Sequence, residues 1–225
     1  MEKYYLIGEL HGTNEAPEAC WDILQKNKIP NLALEFPVNC QKEINNFLEG
    51  KKKINEIFLF WFKHPHDGRS SPAMKRLLIK AKEHAIKVHV IDTILGNAAE
   101  REKEMAKNLI KIKGKVAFLC GNVHASKQEI YFPILSRLAF KIISIFSPEY
   151  ATLGKSIKPC GAHLPKKETV SYKVEALKGG NFYNFKVKKA KKYKAKKIES
   201  LPAIIKANDE SYDFIYLVKK FTPSQ

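Results

Sequence analysis

Long apolar runs are missing from this chain. The longest uninterrupted one, Ile57 to Phe62, is too short to cross a bilayer as a helix, so no transmembrane segment is expected. Cysteine is scarce as well. Cys20, Cys40, Cys120 and Cys160 show no CxxC spacing, which argues against a zinc ribbon and against a dense disulfide framework. They are expected to be reduced, and Cys120, inside an apolar run, to be core. The opening residues lack the basic region, apolar region and small-residue cleavage site of a secretory signal, because Tyr4 to Ile7 already reads as a strand. The expected location is the cytoplasm.

Negative charge is also in short supply, and unevenly so. The net charge is +17; residues 1–150 hold 23 Lys and Arg against 17 Asp and Glu, whereas residues 151–225 hold 17 against 6. Much of the excess lies in Lys186 to Lys197, with eight lysines in twelve residues. Such a block attracts nucleic acid or another anionic surface by weak, nonspecific, salt-sensitive electrostatics. A solvated lysine-rich face or loop accounts for it more simply. With no arginine and one aromatic, Tyr193, the block has little means of reading bases.

What is present is an alternation of strand and helix patterns. The hydrophobic fraction of 44% suits a globular protein with a substantial core. Apolar runs ending near Gly8, at Asn31–Pro37, at Lys87–Asp92 and at Val116–Cys120 read as strands. Helical patterns follow Thr13 or Asn14, run from Gln41 to Phe62, start at Ser70 or Ser71 with Pro72 in the first turn, and cover residues 98–112. Farther on, a helix is expected around Ile130–Leu138 and a strand at Ile142–Phe146. The order predicts an α/β fold, a mostly parallel β-sheet flanked by helices in an α/β/α sandwich. The whole chain, 1–225, is read as one domain. Residues 1–150 form the core with the site, 151–210 a lysine-rich excursion without strong periodicity, and 211–225 a final strand around Tyr212–Val218.

Chemistry collects where the strands end. Leu6-Ile7 breaks into Gly8-Glu9-Leu10-His11, and Val116–Cys120 breaks into Gly121-Asn122-Val123-His124, so two strands each end in Gly-x-x-His. A third strand ends in Glu35 and a fourth in Asp92. In a parallel sheet these ends share one edge, where ligands bind. Two imidazoles with carboxylates form a plausible shell for a divalent transition metal that activates water, which makes Glu9, His11, Glu35 and His124 the expected metal ligands. Without metal, a histidine serves as general base, a carboxylate orients its ring, and Arg69 stabilises a developing oxyanion. Arg69 and Asp67 lie in the polar loop Lys63–Pro72. Glu35 ends a buried strand and needs a partner, which Arg101 could supply structurally. His64, His66, His84 and His163 lack strand-end context and read as surface residues.

Gly8-Glu9-Leu10-His11-Gly12-Thr13, Leu34-Glu35, Asp67-Gly68-Arg69-Ser70-Ser71, Arg101 with Met105-Ala106, Gly121-Asn122-Val123-His124 and Tyr212–Ile215 together resemble the erythromycin-esterase and ChaN-like superfamily, which includes Tiki and TraB-type proteins. The resemblance implies a site of two histidines and strand-end glutamates, used for metal-dependent peptide cleavage in Tiki-like members and ester hydrolysis in esterase-like ones. It places His11, Glu35 and His124 on motif positions, with Glu9 beside them. One residue separates Glu9 from His11, as in the ChaN-like form, whereas the esterase pattern has two. ChaN-like members are implied to bind haem or iron as secreted lipoproteins, and no signal or lipidation cysteine is read at the start of this sequence. The expected function is metal-assisted hydrolysis of an ester or amide bond in a small molecule or peptide, with His11, Glu35, Arg69 and His124 catalytic. The alternative is a noncatalytic protein that binds haem, iron or another small ligand in the same crevice.

Overall fold

The computed structural model describes residues 3–61, 68–93, 97–131, 156–178, 180–182, 185–187 and 200–224. The apolar runs become β1 (Lys3–Glu9), β2 (Asn31–Pro37), β3 (Lys87–Asp92) and β4 (Lys115–Gly121), alternating with α1 (Glu15–Asn27), α2 (Gln41–Leu48), α3 (Ile54–Trp61), α4 (Pro72–Glu83) and α5 (Ala98–Ile110). The short helix α6 (Asn122–Ala125) follows β4, β5 (Ile130–Tyr131) pairs with β6 (Ser156–Ile157), and α7 (Cys160–His163) precedes β7 (Thr169–Lys178). β8 (Gly180–Phe182) and β9 (Phe185–Val187) form a hairpin pair; β10 (Ala203–Lys206) and β11 (Phe214–Lys220) close the described chain.

One seven-stranded sheet has the order β10-β11-β7-β1-β4-β2-β3, parallel throughout except for the antiparallel edge strand β10. Its central strands β1, β2 and β4 are buried on both faces, as their near-continuous apolar character requires. The side-chain period of two sorts them. Tyr5 and Ile7 of β1, Leu32 and Leu34 of β2 and Ala117 and Leu119 of β4 pack under α1, α2, α3 and α4. Tyr4 and Leu6, Ala33, and Val116, Phe118 and Cys120 pack on the opposite face under α5 and α7. This is the α/β/α sandwich expected from the sequence.

Three local readings change. The helical pattern from Gln41 to Phe62 divides into α2 and α3 because Gly50, at φ +79°, takes the left-handed conformation that ends a helix. Ile130 and Tyr131, expected to begin a helix, pair as a strand with Ser156–Ile157, in keeping with their β-branched and aromatic side chains. Thr169–Lys178, inside the expected excursion, is a strand between β1 and β11. Its alternation of Tyr172, Val174 and Ala176 with Lys173 and Glu175 has the period of a strand, and the lysine content around it hid that signal. The expected strand at Ile142–Phe146 and most of the Lys186–Lys197 block lie outside the described residues. Among the described residues no helix is long and apolar enough to cross a membrane.

Substituting Val174, which is buried at 2% exposure, tests the placement of β7. Val174→Asp puts an unpaired charge in the core and should cost about 3 kcal/mol or more in urea unfolding. Lys219→Asp, on an exposed position of β11, should stay within about 0.5 kcal/mol.

Candidate functional site

Parallel pairing sets the register of the site. Glu9 lies opposite Gly121 across β1 and β4, and Leu34 lies opposite Leu119 across β2 and β4, so Glu35 comes level with the end of β4. Gly121 therefore stands between two carboxylate-bearing strand ends. A Cβ there would come 3.2 Å from His11 Nε2, 3.4 Å from His124 Cδ2 and 3.6 Å from Glu35 Oε2. Because Gly121 has an ordinary φ of −55°, its missing side chain matters for space and not for backbone conformation. A second glycine works differently. Gly68, at φ +88°, packs against the backbone of Gly12, where a Cβ would fall 2.6 Å from the Gly12 nitrogen. That close approach brings the next residue, Arg69, to Glu35.

Glu35 is buried and carries the densest set of donors. Its Oε1 accepts from Arg69 Nη1 at 3.0 Å, from Arg101 Nη2 at 2.9 Å and from His124 Nε2 at 3.2 Å. Its Oε2 accepts the Gly121 N–H at 2.8 Å and lies 3.8 Å from His11 Nε2. Asp92, at the end of β3, takes a two-pronged bond from Arg101, with Nε to Oδ1 and Nη2 to Oδ2 both at 2.8 Å, and Arg69 reaches it at 3.4 Å. Burial pushes the Glu35 carboxyl up, but the positive charges of His124 and Arg69 outweigh it and hold the group well below the usual carboxylate range.

The two histidines of the repeated motif have different environments. His124 is buried and held between two carboxylates, with Nδ1 2.7 Å from Glu102 Oε1 and Nε2 on Glu35. Both acceptors are carboxylates, so both ring nitrogens donate. Burial opposes the charge, yet Glu35 and Glu102 raise the group to about 10. His11 has a single clamp, Nδ1 donating to Glu9 Oε1 at 2.7 Å, and its side chain is 22% exposed. Burial lowers its pKa, the charge and hydrogen bond of Glu9 together with Glu35 raise it, Arg69 opposes them, and the net direction is up.

The structure thus brings Glu9, His11, Glu35, Arg69, Asp92 and His124 together at one edge. It joins them as a hydrogen-bonded ionic cluster and not as the open ligand set anticipated for an ion. Glu9 is taken by His11, Glu35 by four donors, and the lone pairs of His124 by protons. Among the described residues no group of three His, Cys, Asp or Glu side chains is placed to hold a metal ion. Arg101 is one of the partners of Glu35, beside Arg69 and His124. Glu102 escaped sequence reading: fully buried, it bonds His124 through one oxygen and the Cys160 N–H through the other, at 2.7 Å. Its signal was present, because residues 98, 102, 105, 106 and 109 form the buried stripe of α5 and Glu102 is the acid among them. Asp67, His64 and His66 lie outside the described residues; His84 is exposed and His163 partly so.

No family model matches the sequence, and no curated protein matches it. Similarity is found at the level of the fold. A Bacillus cereus protein of known structure superposes with a TM-score of 0.54 at 12% identity, over 99% of this chain and 90% of its own. ChaN of Campylobacter jejuni, in a structure describing cofacial haem binding to that protein, superposes with a TM-score of 0.52 at 12% identity, over 96% of this chain and 88% of its own. The C-terminal region of Pasteurella multocida toxin, described as having a thiol-protease like catalytic triad, matches with a TM-score of 0.38 at 18% identity. That match covers 51% of this chain and 18% of the toxin chain and carries no argument. The chain has a ChaN-like fold; these likenesses do not bear on the erythromycin-esterase side of the resemblance.

The clamped imidazolium makes a signed prediction for stability. A group raised from 6.5 to about 10 stabilises the fold fully below pH 6.5 and loses that contribution as pH climbs toward 10. Glu35, held below 4.5, contributes above that value and loses its contribution as pH falls below it. Urea unfolding from pH 4 to 10 should therefore show a maximum near pH 4.5–6.5 and an alkaline decline. In His124→Asn most of that decline should be absent; an unchanged slope would place the titration elsewhere.

Proposed function

We propose that the crevice at the carboxyl edge of the sheet is a small-ligand site presented by His11, and that haem is the ligand to test first. The single observation that carries this reading is the asymmetry of the histidines. His124 is bonded at both nitrogens, whereas His11 is fixed at Nδ1 by Glu9, its Nε2 lies 3.8 Å from Glu35 Oε2, beyond hydrogen-bond reach, and its side chain is 22% exposed. A histidine that ligates iron typically has its other nitrogen bonded to a carboxylate or carbonyl, which fixes the ring and raises its basicity. The residues fit an iron held through one imidazole, with Glu9 behind it. Bound haem would supply its own redox and ligand chemistry; this chain would supply the His11 Nε2 nitrogen that holds it, the Glu9 bond that orients that ring and the Arg69 guanidinium nearby. The ChaN-like fold supports the choice of ligand.

A second reading rests on a different distance. His11 Nε2 and Glu35 Oε2 are 3.8 Å apart, an interval that one water oxygen could bridge. Such a water would lose a proton to the neutral His11 ring as it attacked an ester or amide carbonyl, with Glu9 stabilising the resulting imidazolium and Arg69 facing the oxyanion. No step of this scheme passes through a metal ion.

Titration with haemin distinguishes the two. Binding through His11 should give a shifted Soret band with the whole protein, weakened at least about tenfold in Glu9→Gln and lost in His11→Ala. Full haem affinity in His11→Ala would remove the first reading. For the second, turnover of an ester panel should survive chelator and fall at least about a hundredfold in His11→Ala; a silent panel would remove it.

A further inference from the structure

The sheet ends at β3, and among the described residues no strand pairs with its outer side. A strand edge turns N–H and C=O groups outward, and those groups need partners. Here side chains supply them. Gln41, at the start of α2, donates from Nε2 to the Val88 carbonyl at 3.0 Å and accepts from the Val90 N–H at 2.9 Å. One amide thus makes the two bonds that the backbone of an added strand would make on either side of His89. Asn108 of α5 donates to the Ile91 carbonyl at 3.2 Å. Between these two side chains a groove of about 380 Å³ follows the edge. Val90, Ile91 and Ile112 line it with Val38, which is 48% exposed, and the lysines on it are Lys87, Lys111 and Lys113, with no carboxylate among the lining residues.

We propose that this groove takes an extended acidic peptide of a partner protein, which adds to the outer side of β3 in place of the Gln41 amide. The backbone supplies the pairing groups, since Val88 and Val90 face outward and are already bonded in the pattern of a ladder. Charge selects the occupant, because the charged residues that line the groove are lysines and carboxylates complement them. The absence of arginine from the lining removes the bidentate contacts that would favour a nucleic acid. A second copy of this chain, at +17, would set lysines against lysines. Gln41 keeps the edge closed until a segment that can make a longer ladder arrives.

The test is fluorescence anisotropy of the full chain with a labelled synthetic peptide of alternating glutamate and valine, as long as the six residues of β3. A second peptide of the same sequence carries methyl groups on alternate backbone nitrogens. The unmethylated peptide should bind saturably and the methylated one at least about tenfold more weakly, because charge is kept while ladder bonds are lost. Lys87→Glu combined with Lys111→Glu should weaken binding about tenfold or more. Gln41→Ala should tighten it about threefold or more, since no side chain has to be displaced. Thermal melts establish that each variant is folded at the assay temperature. The proposal is overturned if neither wild type nor Gln41→Ala binds the peptide, if both peptides bind alike, or if Gln41→Ala binds no more tightly than wild type. Dimerisation of the unliganded protein that Gln41→Ala strengthens would assign the edge to a second copy instead.

Discussion

A buried carboxylate at the end of a central strand must be neutralised, and much of the site follows from how Glu35 meets that requirement. Two guanidiniums, an imidazolium and a backbone N–H converge on its two oxygens. They come from the loop before α4, from α5, from α6 and from the end of β4, so one charge ties four segments to the sheet. Removing a partner from such a cluster leaves an uncompensated buried charge, at a cost of about 3–5 kcal/mol. The network sets charges of both signs against one another. Glu9, Glu35, Asp92 and Glu102 face Arg69, Arg101 and two imidazoles whose pKa values are both raised.

That balance divides the labour between two motifs that look alike in sequence. Gly121-Asn122-Val123-His124 delivers its histidine inward, where Glu102 and Glu35 hold both nitrogens, and His124 acts as a structural cation. Gly8-Glu9-Leu10-His11 delivers its histidine to the same sheet edge on a side chain that is 22% exposed, with Nδ1 on Glu9 and Nε2 3.8 Å from Glu35. The chain's far end helps to fix that loop. Ser224 N–H bonds the Gly12 carbonyl at 2.8 Å, and Asn14 bonds Thr222 and Pro223, so the residues after β11 close over the segment that carries His11. Asn14, a natural helix cap by type, makes no side-chain cap on α1: its backbone is already helical and its Oδ1 accepts from Arg76 Nη2 at 2.6 Å instead.

Much of this was legible because it depends on local pattern. Strand ends could be read from apolar runs breaking at Gly8, Glu35, Asp92 and Gly121, and parallel topology then places them at one edge. Ser71 capping α4, with its hydroxyl accepting from Met74 N–H, follows from the serine and proline at its start. Other features depend on pairings between distant residues that no spacing encodes. The clasp of Thr222–Ser224, the insertion of β7 beside β1 and the bond from Glu102 to His124 are of this kind. Glu102 is the instructive case, because a carboxylate in the apolar register of a helix is a sign of a buried ionic partner. A metal shell and a mutually satisfied ionic cluster use the same residue types, which composition does not tell apart; here Arg101 and Glu102 provide charges that let these residues satisfy one another.

The division between the two histidines is measured directly by nitrogen-15 NMR of the imidazole rings. His124 should keep both ring nitrogens protonated through pH 8 and titrate near 10. His11 should also titrate above 6.5, with Nδ1 retaining its proton in the neutral ring and Nε2 losing it. Titration of His124 at the ordinary value near 6.5 would contradict the imidazolium clamp, and with it the reading of His11 as the histidine left open to a ligand.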